Sequence, residues 1–116
     1  MLSFERLEVW KKSIMFSKTL VEIANRLPTK YQFSFADQLR RAALSIPSNI
    51  AEGAGRRSRR DSSNFYSISR GSVYESVNII KLLVELDEPA IKDVNLDRLF
   101  NDAEEIVKMI YGLSKS

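Results

Sequence analysis

Four arginines fall within five residues at positions 56–60, and their side chains are the ones in this sequence most suited to binding chemistry. Guanidinium groups this close together could neutralise several phosphates of a nucleic acid, and such binding would weaken steeply as the salt concentration rises. Three more arginines precede or follow the cluster and could lie near it in the fold. The candidate nucleic-acid-binding residues are Arg40, Arg41, Arg56, Arg57, Arg59, Arg60 and Arg70.

An alternative is that these arginines pair with carboxylates of the same chain or of a second copy. Residues 1–72 contain 13 Lys and Arg and 6 Asp and Glu, whereas residues 73–116 contain 5 and 9. The net charges of the two parts are therefore +7 and −4, which together equal the net charge of +3 for the whole chain. A basic part and an acidic part suit an anionic ligand or self-association equally well, so both interpretations stay open.

Residues that commonly carry catalysis or hold metals are missing from the chain. It contains no histidine and no cysteine, so imidazole and thiolate ligands, a cysteine nucleophile and a histidine proton shuttle are all excluded. The run Gly53-Ala54-Gly55-Arg56 does not match a phosphate-binding loop, because no Lys-Ser or Lys-Thr pair follows it. We expect a protein that is not an enzyme and that uses no metal or cofactor.

A ladder of apolar residues precedes the arginine cluster, with the spacing of three to four that marks one face of a helix. The spacing keeps its phase across Pro47, which predicts one helix kinked at that residue. A proline inside a helix costs about 3 kcal/mol, so packing on both sides must offset it. The alternative is a helix that ends at Ile46 and a second that begins at Ser48. The ladder consists of Phe35, Leu39, Ala42, Ala43, Ile46, Ile50 and Ala54.

The opposite face of the same helix carries a polar stripe of Arg41, Ser45, Asn49 and Glu52. One interpretation is a face exposed to solvent. The other is that Asn49 and Glu52 are partly buried and paired with an arginine of this chain or of a neighbouring subunit, because a buried charge requires a partner.

Helical spacing over the rest of the chain predicts four helices, at about residues 4–27, 34–54, 59–87 and 95–113. Short connections between them favour an all-α, antiparallel up-down-up-down four-helix bundle that forms a single domain over residues 1–116. The first helix has two apolar rows, of which one could face the core and the other a neighbouring subunit. Trp10 lies on the first of these rows and is either a core residue or an interface anchor.

The third helix combines small and aromatic residues. Gly71 in its middle costs about 1 kcal/mol relative to alanine, so a packing reason is expected. Tyr66 and Tyr74 lie beside Arg70 and could offer stacking surfaces to single-stranded bases. The predicted core row is Phe65, Ile68, Ser72, Ser76, Ile79, Leu83 and Leu86.

No apolar run is long enough to span a membrane, and the first residues lack the apolar core of a signal peptide. The absence of cysteine fits a reducing compartment. These features together predict a cytoplasmic protein with no membrane partner.

Two motifs resemble those of a small bacterial four-helix-bundle family, named for proteins encoded in intervening sequences of 23S ribosomal RNA genes. The first motif is the run from Leu39 to Gly53, followed by Arg56-Arg57-Ser58, and the second is the opening run from Phe4 to Lys11. The motifs occur in the family's order and about 30 residues apart. The ribosomal part of the family's name reflects where the genes lie and does not imply a ribosome component.

The resemblance implies an antiparallel four-helix bundle that assembles into a ring, a homopentamer. The chain also resembles the accessory protein of diversity-generating retroelements, a basic pentameric barrel that binds nucleic acid and a reverse transcriptase. By this resemblance Asn49 and Glu52 serve structure or subunit contact, and the arginines bind RNA or DNA or form the ring interface. The alternative is a homo-oligomeric scaffold or adaptor whose charged residues contact other subunits or a protein partner. The positions that match the first motif are Arg40, Arg41, Asn49, Glu52, Arg56 and Arg57.

Overall fold

The computed structural model describes residues 1–115 and is all-helical over that range. Each helix packs against its neighbours in the chain, and the first also packs against the fourth, whereas the diagonal pairs hardly meet. This ring of contacts is that of a four-helix bundle, and it confirms the predicted fold class. Short 3-10 turns occupy Ser3–Arg6, Thr29–Tyr31 and Pro89–Ile91. The helices are α1 (Glu8–Arg26), α2 (Phe35–Ala54), α3 (Arg59–Glu85) and α4 (Leu96–Lys115).

α1 begins at Glu8, later than predicted, because a separate 3-10 turn precedes it. Its second apolar row lies entirely in the core and comprises Val9, Phe16, Leu20, Ile23 and Leu27. From the first row Ile14 and Val21 remain more than one third exposed. One helix face therefore supplies the core, and a second apolar strip stays at the surface of the single chain.

α2 continues through Pro47 without interruption, so the alternative of two separate helices is wrong. Ile46, Pro47 and Ile50 are all buried. The most extensive helix–helix contact of the bundle joins α2 and α3. The Ser69 hydroxyl of α3 donates a hydrogen bond of 2.7 Å to the Ile46 carbonyl, next to the proline. Packing and polar contact on this side thus offset the backbone hydrogen bond that Pro47 cannot make.

The predicted core row of α3 is wrong in phase in the first part of the helix and correct at Ser76, Ile79 and Leu83, which are buried. Ile68 and Leu86 are 53% and 48% exposed, and in the first part the buried positions lie one residue later along the helix than predicted. Serines occupy two of these buried positions, and a buried hydroxyl is tolerated when it is hydrogen-bonded. Ser69 donates to α2, and the Ser76 hydroxyl donates to the Ser72 carbonyl at 2.8 Å. The buried row includes Tyr66, Ser69, Val73, Ser76, Ile80 and Leu83.

Two polar side chains cap helix N-termini. Ser58 Oγ accepts the Asp61 backbone N–H at 3.1 Å at the start of α3, and Asn95 Oδ1 accepts that of Arg98 at 3.1 Å at the start of α4. Ser34 precedes α2 but makes no side-chain cap. The cap at Ser58 fixes where α3 begins, and hence how the arginines around it are placed.

Candidate nucleic-acid interface

The connection between α2 and α3, residues 55–58, and the first two residues of α3 carry the arginine cluster at one end of the bundle; we call residues 55–60 the arginine turn. Close packing holds its base. A Cβ on Gly53 would lie only 2.5 Å from Cε1 of Tyr66, so glycine allows the end of α2 to approach α3. The Ser62 hydroxyl donates to the Gly53 carbonyl at 2.7 Å and ties the two helix ends together. The arginine turn is therefore a short connection between two fixed helix ends.

Arg56 is held by the last turn of α2 and by α3. Its Nη2 donates to Glu52 Oε2 at 3.1 Å, and its guanidinium carbon lies 4.5 Å from the centroid of the Phe65 ring. Both partners leave this cation partly exposed, with one carboxylate already neutralising it.

Arg57, Arg59 and Arg60 are exposed, and none of them makes an ion pair or a hydrogen bond through its side chain within residues 1–115. Arg59 and Arg60 are the first two residues of α3. The N-terminus of a helix carries a partial positive charge, so each cation there destabilises the helix by roughly 0.3–1 kcal/mol. Asp61 in the first turn offsets one of these charges, and the three cations still leave a net positive end of a 27-residue helix, which favours an anion.

Arg40 and Arg41 lie elsewhere. Arg40 is fourteen residues before Ala54, the last residue of α2, and is therefore about 21 Å from that end of the helix along its axis. Its Nη2 donates to Asn25 Oδ1 at 3.1 Å and also to Gln32 Oε1, which joins α2 to the end of α1. Arg41 pairs with Asp37 at 3.2 Å on the surface. The structure does not bring these two arginines to the arginine turn.

Arg70 is partly buried and lines a groove between α3 and α4, away from the arginine turn. Tyr74 lines the same groove and is exposed. Tyr66 is buried against Gly53, and this burial raises the pKa of its phenol above the ordinary value. Tyr66 thus cannot stack on a base, whereas Tyr74 can. Tyr111 and Lys108 of α4 also line the groove, and the sequence analysis did not identify them. Their i, i+3 spacing, which places them on one face of the helix, could have indicated that they act together.

The residues predicted for structure or subunit contact make local contacts. Asn49 is partly buried, and its Nδ2 donates to both the carbonyl and the hydroxyl of Ser45 at 2.9 Å. Its partner is thus a serine and not an arginine, whereas Glu52 does pair with an arginine. Trp10 is partly buried and meets Phe4 edge to face, with ring centroids 5.1 Å apart.

The acidic residues of α4 do not meet the arginine turn. Asp102 and Glu105 instead face Lys12 of α1, at 3.2 and 3.5 Å. Within the described chain, the arginine turn therefore makes no ion pair with α4. Over residues 1–115 no cluster of three or more potential metal ligands occurs. None of the helices in that range is both long and apolar enough to cross a membrane.

Comparison with known proteins relates this chain to one group. A solved structure from Bacteroides thetaiotaomicron, a protein of unknown function from the S23 ribosomal protein family, superposes with a TM-score of 0.80 at 27% identity. The match covers 93% of this chain and 96% of that one. No curated protein matches the sequence. The model of the family described as 23S rRNA-intervening sequence protein matches residues 5–112, and the chain therefore belongs to that family.

Proposed function

We propose that this protein is a small, non-enzymatic, self-associating bundle that binds nucleic acid, either structured RNA or DNA, through the arginine turn. One observation carries the proposal. Arg57, Arg59 and Arg60 present three exposed guanidinium groups with no carboxylate partner in the described part of the chain. Two of them stand at a helix N-terminus, where they add to a positive potential.

The arrangement of these three arginines suits the binding of a polyanion better than the stabilisation of the fold. A surface arginine that stabilises a fold pairs with a carboxylate or covers an aromatic ring, as Arg56 does with Glu52 and Phe65. Arg57, Arg59 and Arg60 have neither kind of contact among residues 1–115. Phosphate oxygens accept from guanidinium donors two at a time, and the exposed backbone at the start of α3 offers further donors.

The salt dependence of binding tests the proposal quantitatively. Each phosphate that a cation neutralises contributes about 0.9 to the slope of log affinity against log salt for duplex DNA. Three free arginines therefore predict roughly 40-fold weaker binding when salt rises from 50 to 200 mM. Fluorescence anisotropy with labelled structured RNA, single-stranded DNA and duplex DNA measures this slope.

A triple variant with Arg57, Arg59 and Arg60 changed to Ala should lose most of the affinity and most of the slope. The matched control removes the same three charges elsewhere, at the exposed residues Lys18, Lys30 and Lys92. The control should retain most of the affinity. Absence of binding by the unchanged protein at low salt would refute the proposal, and so would an equal loss in both variants.

The second candidate function is a homo-oligomeric scaffold whose charged residues contact other subunits or a protein partner. Exposed apolar side chains favour it. Leu44 of α2 is 70% exposed and Ile68 of α3 is also exposed, although these two helices pack most closely. Ile14 and Val21 leave a further apolar strip on α1. Surfaces of this kind commonly mark contacts with another protein chain.

Light scattering distinguishes the two functions. A ring of five chains would show five times the chain mass of 13.3 kDa. If the Arg57, Arg59 and Arg60 variant dissociates, the arginines serve assembly; if it stays assembled and loses RNA, they serve binding. A monomer at micromolar concentration would contradict the scaffold.

A further inference from the structure

A groove between α3 and α4 combines basic and aromatic side chains. Two adjoining depressions share Tyr74 and Lys108 and together form one channel along the two helices. The side chains that determine its chemistry are Arg70, Tyr74, Lys81, Phe100, Lys108 and Tyr111.

The lining of this groove is net positive. Arg70, Lys81 and Lys108 face a single carboxylate, that of Glu104. Arg70 and Lys108 make no side-chain ion pair or hydrogen bond with any of residues 1–115, so their charges are available to a ligand. Lys81 is placed over the Phe100 ring, with its Nζ 4.7 Å from the ring centroid.

Two tyrosine rings in the groove are accessible. Tyr74 is 64% exposed and Tyr111 is 50% exposed, in contrast to the buried Tyr66. The Lys115 Nζ lies 4.5 Å from the centroid of the Tyr111 ring and adds a cation beside it. Gly71 also lines the groove, and a Cβ at that position would meet nothing within 4 Å. The packing reason that the sequence predicts for this glycine is therefore wrong within the described chain.

The groove lies farther along α3 than the arginine turn. Arg59 and Arg70 are eleven residues apart, which is about 16 Å along the helix axis. Residues 61–69 between them contain no Lys or Arg. The groove is therefore a basic patch of α3 separate from the arginine turn, and the exposed rings of Tyr74 and Tyr111 belong to this patch.

We propose that the groove between α3 and α4 binds a single-stranded segment of nucleic acid, with its phosphates on Arg70 and Lys108 and unpaired bases stacked on Tyr74 and Tyr111. The inference rests on the proposed function and specifies its ligand, because bases paired within a duplex do not offer their faces to a protein ring. Base–aromatic stacking next to a basic groove is the general mode of single-strand recognition. An acidic peptide would satisfy the cations but would leave the two rings unused.

The test compares a labelled oligothymidylate with a labelled duplex by fluorescence anisotropy. Changing Tyr74 and Tyr111 to Ala should weaken single-strand binding at least about fivefold and leave duplex binding unchanged. Changing both to Phe should retain binding, because the rings remain. Asn78→Ala is the matched control, since Asn78 is an exposed side chain of α3 outside the groove. If the double alanine variant does not fold, Arg70→Gln with Lys108→Gln replaces it, with the same expected loss.

Each other outcome has a distinct meaning. Single-strand binding that survives loss of both rings overturns the groove proposal and leaves the arginine turn unaffected. No binding of either oligonucleotide by the unchanged protein overturns the proposed function itself. A change in molar mass of the tyrosine variant by light scattering overturns the groove proposal in favour of a contact between copies of the chain.

Discussion

Gly53 and Gly71 allow the cost of overpacking to be separated from the gain in helix propensity. Gly71 is in the middle of α3, so replacing it by alanine gains about 1 kcal/mol of helix propensity, whereas Gly53 is the last residue but one of α2 and gains at most that amount. Their surroundings differ, because a Cβ on Gly53 would lie 2.5 Å from Cε1 of Tyr66, whereas a Cβ on Gly71 meets nothing within 4 Å. The difference between the two variants therefore measures overpacking at the contact between α2 and α3.

The expected size of this difference follows from the burial of Tyr66. The ring is buried and its atoms Cε1, Cδ1 and Cζ all lie within 3.0 Å of the added Cβ, so no free end of a flexible chain can move aside. Overpacking of this kind costs about 1–3 kcal/mol. For a chain of 116 residues the entropy of unfolding makes 1 kcal/mol equal to about 4 °C in Tm. We expect Gly71→Ala to raise Tm by about 4 °C and Gly53→Ala to lie about 4–12 °C below it.

Calorimetry of the two variants and the unchanged protein at one chain concentration provides the measurement, because association makes Tm depend on concentration. Light scattering on the same samples shows that the oligomeric state is unchanged. If Gly53→Ala is as stable as Gly71→Ala, the close approach of α2 to Tyr66 is not a constraint, and our account of this glycine fails.

Two more predictions concern single side chains. Arg40→Ala should lower the unfolding free energy by about 1 kcal/mol in urea titrations, since it removes hydrogen bonds to Asn25 and Gln32, and should leave nucleic-acid affinity nearly unchanged. A loss of affinity as large as that of the Arg57, Arg59 and Arg60 variant would contradict this structural role and return Arg40 to the binding surface. The raised pKa of Tyr66 means that the folded state holds this proton more tightly than the unfolded state, so its contribution to stability is complete below pH 10 and is lost as pH rises above it. Urea midpoints on either side of pH 10 should fall less for Tyr66→Phe than for the unchanged protein, and an equal fall would show that Tyr66 is not the group responsible.

The arginine turn shows how far sequence reasoning reached at the candidate site. The predicted helix bounds at residues 54 and 59 placed a short connection at the arginine cluster, because the signals that end and begin helices are local. Whether a given guanidinium group is free depends on residues of other helices, so the local sequence does not predict it. Arg56 and Arg40 find partners through the positions of Phe65 and Asn25, which only the packed helices bring close.

Helical periodicity by itself predicted four helices and favoured one continuous α2 through Pro47, since these follow from spacing along one element. Which of the two apolar rows of α1 faces the core was left open by the spacing and was decided by the packing of α1 against the other helices. Tertiary structure decided which face of α3 is buried. Ser69 can be buried there only because the Ile46 carbonyl of α2 accepts its hydroxyl, and a partner on another helix leaves no mark in the spacing of α3 itself.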